Sequence, residues 1–335
     1  MTMDGSARRA GLFREREGAL PNSIALLWAG IGWLGSFGLM AAGDKLANVL
    51  GVLLCAHAMI IAAYLIHEAA HCTLFAGRRV NHAVGEAMSF VAGSSYAAFA
   101  RIRHMHIRHH RDRADITCFD FLALLRRRPA LRRVLEALEW AYVPATELLM
   151  HLQVIWRPVF DRSQRRYLPR ALGMLALRGA LLAALGLWSL KALLLYALAY
   201  MVMLQVLHFF DSFHHTFEQY FVPADAPVPM AGRDRAYEQA NTYSNLVSRR
   251  HPWLNLLTLN FGYHNAHHER AGVPWYRLPA LHRGLYGDAA PAVMPLSAML
   301  AGWHRNRVRR VAAEAYGAPG GAFLGAHGVS FLTVV

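Results

Sequence analysis

The sequence predicts an all-α integral membrane protein, with four transmembrane helices in two hairpins and a helical cap on the cytoplasmic side. Three observations carry this fold class. The first is composition: 55% of the 335 residues are hydrophobic and the mean hydropathy is +0.22, values that point toward membrane rather than a soluble domain pair. The second is length. Ile24 to Ala42 and Ala192 to Phe210 are each 19 residues without a charge, close to the ~20 that cross a hydrocarbon layer of ~30 Å. Ala47 to Ile66 is a third such run, interrupted only by His57. The third observation is the placing of charge. Of 35 basic residues only Lys45 and Lys191 are lysines, and each sits in a tight link between apolar runs. Most arginines lie in the N-terminal leader, in Arg101 to Arg133 and after Arg162. That asymmetry is the one the positive-inside rule describes, with the arginine-rich segments cytoplasmic. The net charge of +14 therefore needs no nucleic-acid partner.

Taken in order, residues 1–21 read as a cytoplasmic leader with an interfacial part. Arg8-Arg9 is followed by Glu15 and Glu17 before the apolar run, so no cleaved signal is read. Residues 22–315 form the membrane domain. Its first span, Ile24 to Ala42, turns through Gly43-Asp44-Lys45-Leu46 into a second, which runs from Ala47 past Ile66 to His67. Ala83 to Ala100 is apolar but carries Glu86. A single crossing there would place His106 opposite His67, so the stretch is expected to be a re-entrant or interfacial hairpin, its irregular backbone buried in protein. Val134 to Trp156 is expected to be one amphipathic helix lying on the membrane or under the cap. The last hairpin begins near Leu172, turns at Ser189-Leu190-Lys191 and returns through Ala192 to Phe210. Arg178 falls inside a span, where a charge is costly and needs a partner; the sequence names none. If the returning helix continues, His208, Asp211 and His215 share a face and His214 points elsewhere. Pro223 to Pro229 breaks it, and residues 316–335 read as a poorly ordered tail. Cys55, Cys72 and Cys118 are too scattered for a disulfide framework or a cysteine metal site.

Histidine spacing carries the chemistry. Of 19 histidines, eight fall into three clusters: His67 and His71; His106, His109 and His110; His264, His267 and His268. The His-x-x-His-His spacing occurs twice. Residues three and four apart share a helix face, and neutral imidazole suits Fe, Zn, Cu and Ni. One zinc takes three or four protein ligands, whereas eight or nine histidines are enough for two metals. Two irons held by nitrogen at the membrane face can activate O₂ and take hydrogen from an unactivated C–H bond. Ligand rings need orienting groups, for which Glu68, Asp112, Asp115, Asp211, Asn265 and Glu269 are available; Glu68, Asp211 and Asn265 are the catalytic candidates among them. His57 lies ten residues before His67, roughly 15 Å along a helix, too far to join the same ion. Its face is nonetheless close to that of His71, which turns it toward the bundle interior and the substrate path.

These residues also carry a resemblance. His67-Glu-Ala-Ala-His71, His106-Ile-Arg-His-His110 and Asn260-Phe-Gly-Tyr-His-Asn-Ala-His-His-Glu269, followed by Val273-Pro-Trp-Tyr and Leu278-Pro, are similar to the histidine boxes of the integral-membrane fatty acid desaturase family. The resemblance covers roughly residues 20 to 285. It implies a mushroom-shaped helical protein with a di-iron centre under the cap and a narrow acyl tunnel. The implied iron ligands are His67, His71, His106, His109, His110, His264, His267 and His268, with a ninth after the fourth span, a place that His215 matches best among His208, His214 and His215. O₂ would be co-substrate. The acyl chain would arrive on acyl carrier protein, coenzyme A or a lipid, with Arg126, Arg127 and Arg128 in a docking face for an acidic carrier. No His-Pro-Gly-Gly haem motif is present, so electrons would come from a separate ferredoxin- or cytochrome b5-type donor. The implied location is a bacterial inner membrane. Membrane hydroxylases, carotenoid-oxygenating enzymes and alkane monooxygenases share the box pattern. His67-Glu68-x-x-His71 also satisfies the zinc-protease pattern, with Glu68 as general base, but the one Asp-Gly available as a distant partner motif is Asp4-Gly5 in the leader. A metal transporter would hold its ligands in mid-span.

Overall fold

In the computed structural model, residues 11–287, 293–312 and Leu332 are described; the expected tail, Leu332 apart, lies outside them. Four helices are long and apolar enough to cross a membrane: Arg16–Ala41, Lys45–Ala70, Arg162–Trp188 and Leu190–Asp211. The first starts inside the expected leader and contains a π-helical segment, Trp28–Gly32. Residues before it are extended: Phe13 bridges Phe75, and Arg14 N donates to Leu74 O at 3.1 Å.

Asp44 caps Lys45–Ala70 by accepting from Ala47 N at 2.8 Å. Asn48 Nδ2 donates to the carbonyls of Leu39, Met40 and Ala42, which ties the hairpin shut. Lys191 Nζ donates to Ala42 O, so the two hairpin turns meet at one end of the bundle. The histidine clusters occupy the other. Lys45–Ala70 is apolar all round and becomes the buried central helix, packed against Arg16–Ala41, Arg78–Val91 and Leu190–Asp211. Leu168–Trp188 instead leaves Leu172, Leu175, Leu181 and Leu187 exposed, as a lipid-facing helix does.

The stretch from Ala83 is a hairpin of two helices, Arg78–Val91 and Phe99–Asp112. Gly93 makes the turn with φ +87, and a Cβ there would lie 2.5 Å from the Tyr200 ring. This hairpin supplies the partner that Arg178 needs. The guanidinium donates to Phe90 O and to Ser95 Oγ, and lies 4.6 Å from the Phe90 ring centroid.

Two expectations need correction. The amphipathic stretch is two helices, Pro129–Trp140 and Ala145–Phe160, because Pro144 disfavours a helical residue before it and Tyr142 turns at φ 62. The fourth span ends at Asp211, where Ser212 Oγ donates back to His208 O at 2.6 Å; His215 then lies in a bridge with Thr242 and shares no helix face with His208. The described chain is mostly helical, as expected, with two short parallel strand pairs beside the helices. Asp115–Thr117 pairs in parallel with Gln219–Phe221, and Ser244–Leu246 with Val293–Pro295, three residues each.

Candidate metal centre

Each histidine cluster sits at a helix end for a local reason. His67 is in the last turn of Lys45–Ala70 and His71 is its cap. His106, His109 and His110 follow one stripe of Phe99–Asp112. His264, His267 and His268 stand on the short helix His264–Glu269. That helix is entered through Leu259 and Asn260, both at positive φ, and then Gly262. A Cβ on Gly262 would lie 2.6 Å from Asn245 O, and Asn245 N donates to Gly262 O at 2.9 Å. Only glycine lets the third box approach the Ser244–Leu246 strand this closely.

The rings gather into two adjoining groups. His67, His71, His106, His110 and His267 each present a ring nitrogen within 4.8 Å of the others, as do His109, His215 and His268 in a second group. His264 joins the second through Nε2, 2.7 Å from His215 Nε2. Within the first, His71 Nε2 lies 2.7 Å from His106 Nε2, and His67 Nε2 lies 3.0 Å from His267 Nε2. Phe261 packs beside both groups, its ring 4.6 Å from His67 and 4.9 Å from His264.

Three of the far ring nitrogens are held from outside. Glu68 Oε1 lies 3.3 Å from His67 Nδ1, Ala114 O and Asp115 Oδ1 lie 3.1 and 3.2 Å from His109 Nδ1, and Glu238 Oε1 lies 2.9 Å from His268 Nδ1. A proton on each Nδ1 leaves the Nε2 lone pair for a metal. Burial first, then neighbouring histidines, push His71, His106, His110, His215, His264, His267 and His268 well below the ordinary imidazole range, so these rings are neutral. His268 gives the test of fit. Its Nδ1 is held by Glu238, while its Nε2 is buried and has no hydrogen-bond partner. A converging set of ring nitrogens, with His268 Nε2 among those left without a hydrogen-bond partner, is a donor set that a borderline divalent metal completes.

All nine histidines expected as ligands are brought together, and the supporting residues divide. Glu68 accepts from His67 and Thr73 Oγ1 and from Trp275 N; with both oxygens engaged it positions a ring and is not free as a protease base. Asp211 lies 3.4 Å from His214 Nδ1, not beside His215. Asn265 turns from the rings: its Oδ1 accepts from Ser244 Oγ and its Nδ2 donates to Thr242 O. Asp112 pairs with Arg108 and Arg111, and Glu269 with Arg235. His208 faces Glu139 and Glu147 at 3.9 Å. His57 bridges helices, accepting at Nδ1 from Trp28 Nε1 at 2.9 Å and placing Nε2 3.1 Å from Leu257 O. Sequence reasoning missed Glu238, which has no motif spacing to mark it, and it turned His214 away from the face of His208 and His215; the His214 ring stacks on that of His264, centroids 4.1 Å apart.

With this geometry in place, comparison with known families is decisive: a family model described as fatty acid desaturase matches residues 45–299. The chain belongs to the fatty acid desaturase family. The match begins at the central helix and takes in all three histidine clusters, so the first helix alone among the four spans stands before it. No curated protein matches the chain. Membership makes it a membrane oxidoreductase of the class that acts on fatty acyl chains.

Proposed function

We propose that the protein is an O₂-dependent di-iron enzyme that introduces a double bond into a fatty acyl chain, carried as a thioester or on a lipid. The observation that supports it is the packing of nine histidines into two adjoining groups at one end of a four-helix bundle. Two irons bound there supply O₂ activation: one –CH₂–CH₂– unit, O₂, two electrons and two protons become –CH=CH– and two waters. The electrons come from an external ferredoxin- or cytochrome b5-type carrier.

The chain's own part is to hold and orient. His67, His71, His106, His110 and His267 would hold one ion, and His109, His215, His264 and His268 the other. Glu68, Asp115 and Glu238 would keep protons on Nδ1 of His67, His109 and His268, so that the Nε2 lone pairs of these three rings face inward. Phe261 and the buried Tyr64, their rings 4.8 Å apart, form an apolar wall that keeps water from one side of the centre. The arginine bias and the parity of four spans support a cytoplasmic centre in an inner membrane.

The test is expression in a host whose lipids are read by mass spectrometry, alongside metal analysis of the purified protein. Loss of two hydrogens with two irons bound is the expected result, and His267→Ala should abolish both turnover and part of the iron. Gain of one oxygen would make the enzyme a hydroxylase, and full activity in His267→Ala would remove the di-iron reading altogether.

A further inference from the structure

The outward face of Pro252–Thr258, the 3₁₀ segment that leads into the third histidine box, is made of Pro252, Trp253, Leu256 and Leu257, none of them polar. Asn255 and Thr258 are buried and bond to the chain around them. Asn255 Nδ2 donates to Ser248 O at 2.9 Å and to Pro252 O at 3.1 Å, its Oδ1 accepts from Ser248 N at 3.2 Å, and Thr258 Oγ1 donates to Asn255 O at 3.2 Å. Irregular backbone below the headgroups must find its hydrogen bonds inside the protein. An apolar exterior over internally bonded backbone is what hydrocarbon requires, and water does not.

One hydrogen bond sets its depth. His57 Nδ1 accepts from Trp28 Nε1, which leaves the proton on Nε2, and Nε2 donates to Leu257 O at 3.1 Å. His57 stands 12 residues after Lys45, where its helix begins beside the hairpin turns; that is ~18 Å at ~1.5 Å per residue. A hydrocarbon layer of ~30 Å counted from that end leaves ~12 Å between His57 and the boundary on the histidine side. The first span gives the same depth independently. Leu20 lies eight residues before Trp28, ~12 Å along the helix, and Leu20, Ile24 and Leu27 are all exposed, as lipid-facing side chains are. Leu257 therefore meets the central span well inside the layer.

We propose that Pro252–Thr258 is a re-entrant segment, which inserts Trp253, Leu256 and Leu257 among the lipid acyl chains of the leaflet on the histidine side. The third box is then entered from hydrocarbon and not from water. The lipid-facing surface of the first span continues onto it through the Trp28–His57–Leu257 contacts. Leu257 stands seven residues before His264, with Leu259 and Asn260 at positive φ between them, so lipid packing on the segment bears on where the ligand helix sits. The inference depends on the four spans crossing a bilayer, and it stands whether or not the proposed oxidation is correct.

The test uses the full-length protein in phosphatidylcholine vesicles whose chains carry bromine either near the headgroup or near mid-chain. Two reporters are read as difference emission: Trp253, as parent protein minus Trp253→Phe, and position 257, as Leu257→Trp minus parent protein. Unchanged metal content checks folding; both side chains are exposed, so neither substitution opens a core. Brominated chains should quench both emissions and aqueous iodide neither, with mid-chain bromine the stronger quencher at position 257. Quenching by iodide and not by bromine would put the segment in water and overturn the proposal. Quenching confined to bromine near the headgroup at both positions would put it at the interface, and overturns the insertion equally. Should one variant misfold, the other reporter alone carries the comparison.

Discussion

Glu238 Oε1 accepts a hydrogen bond from His268 Nδ1 at 2.9 Å across a separation of 30 residues, while Glu238 Oε2 accepts from Arg113 Nε at 2.8 Å. One carboxylate thus holds both the His268 ring and the segment that follows the second histidine box. Glu238→Gln keeps the shape and removes the charge. It should lower metal affinity or turnover by about 10–100-fold with the helix content unchanged. Metal content after dialysis against a chelator, compared with circular dichroism, would check this; undiminished metal retention would show that Glu238 serves packing alone.

Gly262 should be as sensitive as a ligand although it carries no side chain. A Cβ would stand 2.6 Å from Asn245 O, which is backbone and cannot swing aside. Gly262→Ala should therefore displace the His264–Glu269 helix, costing about 1–3 kcal/mol as an overpacked site does, and should reduce metal binding. Gly35→Ala is the control, since nothing lies within 4 Å of a Cβ there. Equal Tm and metal content in the two variants would count against this account.

The meeting of the hairpin turns sets up a topology experiment. Lys191 bonds Ala42 O, beside the turn that bears Lys45, so both lysines should appear on the face opposite the histidines. Cysteines placed at Lys45 and Lys191 should react with an impermeant thiol reagent from outside the cell, and one at Arg127 should not. Labelling at Arg127 alone would invert the orientation.

His57→Leu should leave metal content intact. The ring's two nitrogens are engaged by Trp28 and Leu257, so the variant loses two hydrogen bonds and should be destabilised by about 1–3 kcal/mol. If His57 also borders the substrate path, chain-length or positional selectivity should shift in lipid profiles; an unchanged profile would leave it a helix-to-helix bridge. Loss of metal from the folded variant would contradict its distance from the ligands.

What the sequence determined by itself was whatever is local or periodic. Apolar run length specified the spans, because a helix must match a layer of given thickness. The i, i+3 and i+4 spacing of His106, His109 and His110 placed three rings on one stripe, because helix geometry leaves no other arrangement. What only the tertiary structure decided was everything that depends on distant segments meeting. The division of nine histidines between two groups could not be read from their order, since His267 and His268 are neighbours in the chain yet belong to different groups. The break at Asp211 moved His208 away from the centre and let His215 enter it through a bridge with Thr242. Glu238 became a positioning carboxylate, and Asp112 did not, because arginines at 108 and 111 claimed Asp112 within its own helix. Arg178 tells the same story in the membrane: its cost is visible in the sequence, but Phe90 O and Ser95, which offset it, lie more than 80 residues away and reach it only once the hairpin has folded back.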